Sequence, residues 1–153
     1  MNNSERQTET GYLKCSLIAY LLLGITDTVH HYHAAVALGP GRAMHAVWTG
    51  VVLVPIALVC VVGFLALRHK ALLWGFVSIA ALAAVLPGLY HGGWDHLLKI
   101  LAHLRLEGDE TDIRLLFPMD NPDLWFYEVT GALEFFMSLA VLYWLFRLIF
   151  ALR

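Results

Sequence analysis

Four stretches of this chain stay apolar for long enough to cross the hydrocarbon core of a bilayer, and most of the ionisable residues within them gather toward one end. A crossing takes roughly 20 helical residues, and the runs fall at about 12–38, 43–67, 71–90 and 124–150. Hydrophobic residues make up 59% of the chain and charged residues only 14%, whereas a water-soluble domain carries about 25% charge. Lipid is therefore the solvent this composition suits. The sequence predicts an all-α membrane protein: a single integral membrane domain over 1–153, folded as an antiparallel four-helix transmembrane bundle. A formal charge of −2 offers no basic footprint for nucleic acid. The two cysteines, Cys15 and Cys60, lie apart in apolar runs, so neither a disulfide framework nor a CxxC site is expected.

The first run continues through Asp27, His30, His31 and His33 where a signal peptide would show a small-residue cleavage site, and it reads as a retained helix. Glycine and proline in Leu38-Gly39-Pro40-Gly41-Arg42 predict a tight turn into the second helix. Arg68-His69-Lys70 is an equally short, basic connection. The third connection, 92–123, is long. Within it His96, Lys99 and His103 recur at helical spacing opposite an apolar face, which predicts a short amphipathic helix lying in the membrane interface between helices 3 and 4. An acidic loop follows. Lys and Arg are more frequent on the side that holds both termini, so the positive-inside rule places the termini in the cytoplasm, of a bacterial inner membrane if the source is bacterial.

Ionisable groups inside a membrane are costly and point to function. Counted at about 1.5 Å per residue from the outer helix ends, Asp27, His30, His31, His33, His45, His91, Asp95 and Glu128 share one layer. Asp27, His30 and His31 project from one face of the first helix, being three and four residues apart. His45 opens the second helix across the turn. His91 and Asp95 share a face only if helix persists through Gly92-Gly93. Neutral imidazoles and anionic carboxylates replace the hydration shell and balance the charge of a transition-metal ion in such a layer. The predicted metal ligands are Asp27, His30, His31, His45, His91, Asp95 and Glu128, around one ion or an adjacent pair. Iron, copper and zinc all suit this donor set.

Supporting or proton-relay roles fall to Glu134, roughly 9 Å deeper than Glu128, to Tyr127 near the same wheel angle, to His33 at the rim, and to His96 over the site. On the interfacial helix His96 reads first as a surface residue. The spacing Asp27-x3-His31-x13-His45 resembles, locally, copper-ligand spacing in the membrane subunit of particulate methane monooxygenases. That resemblance covers fewer than 20 residues and keeps copper among the metals. Haem held axially by His31 or His45 opposite His91 is a further option, although Asp27 and Glu128 crowd the layer it would occupy. Two function classes follow: a metal-dependent, redox membrane enzyme or its metal-carrying subunit acting on a small or lipophilic substrate, and a non-enzymatic metal-handling or accessory subunit. A b-type haem electron carrier stands behind both. So small a bundle is expected to form a homo-oligomer or to join a larger membrane complex.

Overall fold

The computed structural model describes residues 3–39, 47–105 and 125–152, and nearly all of them are helical. Helix α1 is Asn3–Leu38, and α2 joins a wide π-wound start, Val47–Leu53, to Val54–Leu67. Helix α3 runs Lys70–Arg105 and α4 runs Trp125–Ala151. All four contain segments long and apolar enough to cross a membrane. The beginning of the predicted second helix, with His45, and the acidic loop from 106 onward lie outside the described residues.

Local chemistry sets the ends. Gly39, at φ 111°, closes α1 by donating its N–H to the Ala35 carbonyl at 3.1 Å, a conformation that glycine adopts without a Cβ penalty. Arg68 ends α2 in the left-handed region at φ 56° and donates to Phe64 O at 2.8 Å. Helix α1 starts at Asn3 rather than near 12, because Glu5, Arg6, Gln7 and Glu9 are good helix formers that extend the span.

The larger correction concerns α3. The sequence predicts an end near 90 and a separate interfacial helix, but the helix runs unbroken through Gly92-Gly93 to Arg105. Over Ala84–Leu97 it is π-wound, and the Leu98 N–H bonds to Gly93 O, five residues back. Pro87 lies inside this stretch, and with no N–H to give it frees one carbonyl of a regular ladder. The glycines serve packing rather than termination. A Cβ at Gly88 would collide with Ser138, and one at Gly92 would lie 2.6 Å from Gly131 O and 2.8 Å from Phe135 N. Small residues here let the α3 and α4 backbones approach closely, the usual device between membrane helices.

Away from the polar layer, Leu13, Tyr20, Leu23, Leu73, Phe76, Ala80, Val141, Leu145 and Leu148 form the apolar core. Tyr20 meets Phe76 edge-on at 6.1 Å. Large apolar side chains also cover the outside, among them Ile18, Ile25, Val59, Val62, Phe136 and Phe146, as expected where lipid surrounds the protein. Contacts between α1 and α4 pair Tyr12 with Trp144 and Arg147 at one end and His30 with Tyr127 and Thr130 at the other. That second end holds His30, His31, His91 and His96.

Candidate metal centre

Three buried or half-buried imidazoles, His30 from α1 and His91 and His96 from α3, turn their Nε2 atoms toward one point. The separations are 3.3 Å for His30 to His91 and 3.3 Å for His91 to His96, and one ligand atom from each of the three lies within 4.8 Å of the others. The far side of every ring is committed. His91 Nδ1 donates to Asp95 Oδ2 at 2.9 Å, His96 Nδ1 to Glu128 Oε2 at 2.8 Å, and His30 Nδ1 to Thr130 Oγ1 at 3.1 Å. Thr130 spends its own proton on the Phe126 carbonyl at 2.8 Å, so its oxygen is left to accept. An ionised carboxylate has no proton to give, so these partners assign hydrogen to Nδ1 and a lone pair to Nε2. With hydrogen on Nδ1, three Nε2 lone pairs face one another, an arrangement able to hold a metal ion.

The π-winding makes this arrangement possible. On a regular α-helix residues five apart stand about 140° around the axis, which would send His91 and His96 to different faces. Hydrogen bonding from i to i+5 stacks them instead, and insertions of this kind recur at functional sites. Their rings meet edge to face at 4.7 Å. His96 also abuts Gly131 so closely that a Cβ there would overlap the imidazole. Tyr127 completes the wall, stacked on His30 at 4.1 Å and 16° and edge-on to His96 at 4.9 Å.

Several predicted site residues take other positions. Asp95 and Glu128 grip imidazole Nδ1 atoms rather than face the point where the Nε2 atoms meet. Glu128 also holds the buried Lys99 ammonium through Oε1. Asp27 is buried beside His31, whose Nδ1 lies 3.0 Å from the Asp27 carbonyl oxygen and 3.3 Å from Oδ1. Ligand atoms of His30, His31 and Glu134 form a second, fully buried group within 4.8 Å of one another. His33 packs on Phe126 at 4.8 Å, at the rim. Tyr127, read from the sequence as a relay partner of Glu134, stacks on the triad imidazoles. His96, read first as a surface or lid residue, is buried within the triad.

Lys99 and Thr130 are the residues the sequence reading leaves without a role in the site. Both had a signal: Lys99 is three residues from His96, and Thr130 lies two beyond Glu128 on the helix that packs against α1. No family model matches the chain, and neither a curated protein nor a solved structure matches it.

Proposed function

We propose that this is an integral membrane protein that binds a divalent transition-metal ion through Nε2 of His30, His91 and His96, with zinc the ion that suits the geometry best. One observation carries the reading. Around a tetrahedral ion with Zn–N bonds of about 2.0–2.1 Å, neighbouring donor atoms lie about 3.3–3.4 Å apart, and the two Nε2 separations are 3.3 Å. The carboxylates of Asp95 and Glu128 support the same reading, because histidine ligands characteristically pass their other N–H to such groups, which fixes the tautomer and raises basicity. Lys99 anchors Glu128 and offsets part of its charge in a layer where a lone carboxylate would be costly.

Three protein ligands leave a fourth position for water or a substrate, the pattern of catalytic rather than closed sites. On this reading the chain is a metal-dependent membrane enzyme, or a subunit that carries the ion, working on a small or lipophilic molecule. Redox chemistry would require iron or copper in the same seat. Haem suits the site poorly: its axial nitrogens must stand on opposite faces of a broad ring, and three imbricated imidazoles with centroids 4.7–5.4 Å apart leave no slot for one. We further propose an antiparallel bundle with both termini cytoplasmic, on the Lys/Arg count, and assembly into an oligomer or a larger complex.

The test is metal analysis of protein purified in detergent, together with His91→Ala and His96→Ala. Stoichiometric zinc, and its loss from the triad in both variants, is expected. Cobalt(II) should give the strong visible absorption of a tetrahedral centre. Full metal retention in either variant would refute the assignment.

A further inference from the structure

Below the imidazole layer a narrow cleft opens between three helices, walled by Tyr20, Gly24 and Asp27 of α1, Val54 of α2, and Ala83 and Pro87 of α3. Asp27 is the one charged residue in its lining. Val54 and Pro87 are only half-buried, so the cleft reaches the face that lipid covers. Both long walls lead up to histidines. On α1, Tyr20, Gly24, Asp27 and His31 follow one another at steps of four, three and four residues, which keeps them on one face. On α3 the wide winding keeps Ala83, Pro87 and His91, every fourth residue, in one line. The two walls end at the His31 and His91 rings, whose centroids are 5.6 Å apart. From Tyr20 to Asp27 the cleft follows seven residues of helix, about 10 Å.

We propose that this cleft seats the alkyl chain of an unbranched primary alcohol, with the hydroxyl against Asp27 and directed toward the imidazoles. The proposal rests on the metal-centre reading, whose substrate class it names. Width argues for a slender chain: a methyl at Gly24 would already lie 3.3 Å from Val54 Cγ2, so the space between α1 and α2 has no room for branches. Asp27 argues for the end group. A hydroxyl dissolved in hydrocarbon has nothing to bond, and a buried carboxyl oxygen gives it a strong acceptor in a low-dielectric layer. An anionic end group would meet Asp27 with like charge instead. Asp27 Oδ1 also lies 3.3 Å from His31 Nδ1, so a hydroxyl held there stands beside the histidine layer. Apolar walls with one or two polar groups that fix orientation are the usual makeup of ligand sites between the helices of a bundle.

The test is photolabelling of full-length protein in lipid nanodiscs with a diazirine-bearing octanol, followed by peptide mapping. Capture at Val54 and Ala83 is expected, suppressed by excess octanol but not by octanoate. Ala83→Leu fills the cleft and should reduce capture to the level of lipid-facing side chains such as Ile25 and Val59. Val54→Phe blocks the same space from α2, at a half-buried position, and keeps the test open where Ala83→Leu disturbs folding. Labelling that is spread over the lipid-facing surface, or that neither variant lowers, overturns the cleft. Octanoate competing as well as octanol overturns the end group assigned to Asp27. Zinc is measured on the same samples, since no residue of the cleft belongs to the triad. Stoichiometric zinc without capture overturns the cleft and leaves the triad standing, whereas capture in protein that binds no zinc upholds the cleft and overturns the triad.

Discussion

Gly92→Ala tests the link between helix packing and metal binding with a single methyl group. The added Cβ would sit 2.6 Å from Gly131 O and 2.8 Å from Phe135 N, where ordinary contact begins at 3.4 Å. Both neighbours are backbone atoms and cannot rotate aside. Helices α3 and α4 must therefore part by about 0.6–0.8 Å to restore contact distances. A metal site tolerates ligand displacements of only about 0.2 Å, and α4 carries Glu128 and Thr130, which aim His96 and His30. Loss of such orienting contacts weakens metal binding by about tenfold to a hundredfold, and that is the effect expected here. Thermal stability is the poorer readout, because overpacking costs about 1–3 kcal/mol while alanine recovers about 1 kcal/mol of helix propensity over glycine. The assay is zinc competition against a chromophoric chelator. Gly11→Ala, where nothing lies within 4 Å of the new methyl, is the control and should bind as the wild type does. Gly92→Ala with an affinity within about twofold of wild type would refute the reasoning, since a loss of tenfold or more is the least that misaimed ligands produce.

Other consequences follow from the same contacts. Glu128→Gln removes the carboxylate charge that the buried Lys99 ammonium contacts and should destabilise the bundle by about 3–5 kcal/mol in detergent melts, whereas Glu128→Leu with Lys99→Met should recover most of that loss while still weakening zinc. Because coordination needs unprotonated imidazoles, zinc should be released on acidification with a pH dependence steeper than one proton per ion, measured by competition titration. His69→Ala, in the exposed connection between α2 and α3, should leave zinc stoichiometry unchanged; a loss there would mean that exposed histidines account for bound metal. Tyr127→Leu removes the ring stacked on His30 and should lower affinity by less than Gly92→Ala does in the same competition assay.

Apolar runs of sufficient length revealed the four spans, and the common depth of Asp27, His30, His31, His91 and Glu128 revealed the polar layer, because both depend only on residue type and position along the chain. Pairings across helices depend on winding, and there an α-helical wheel misleads. It puts His96 about 140° from His91, and it makes Gly92-Gly93 look like an end. One signal for the wide winding was present: Leu82, Leu86, Tyr90, Trp94 and Leu98, all exposed, recur at every fourth residue. A period of 3.6 would carry such a stripe steadily around the helix, whereas a wider turn keeps it facing lipid. The division between residues that face the point where the Nε2 atoms meet and residues that grip the imidazoles was not legible, since a carboxylate four residues from a histidine suits either role.

The Lys99–Glu128 pair also sets an order for biosynthesis. Glu128 is synthesised 29 residues after Lys99, so the end of α3 reaches the insertion machinery before its counter-charge exists. Burying that ammonium before the carboxylate arrives is costly, which favours leaving that end of α3 at the water boundary until α4 follows. Closure of the histidine cluster is then the last event in assembly, and it coincides with the arrival of the carboxylate that neutralises the lysine. A nascent chain halted before Trp125 should keep Lys99 open to a water-soluble amine reagent, and release of the finished chain should shut that reagent out.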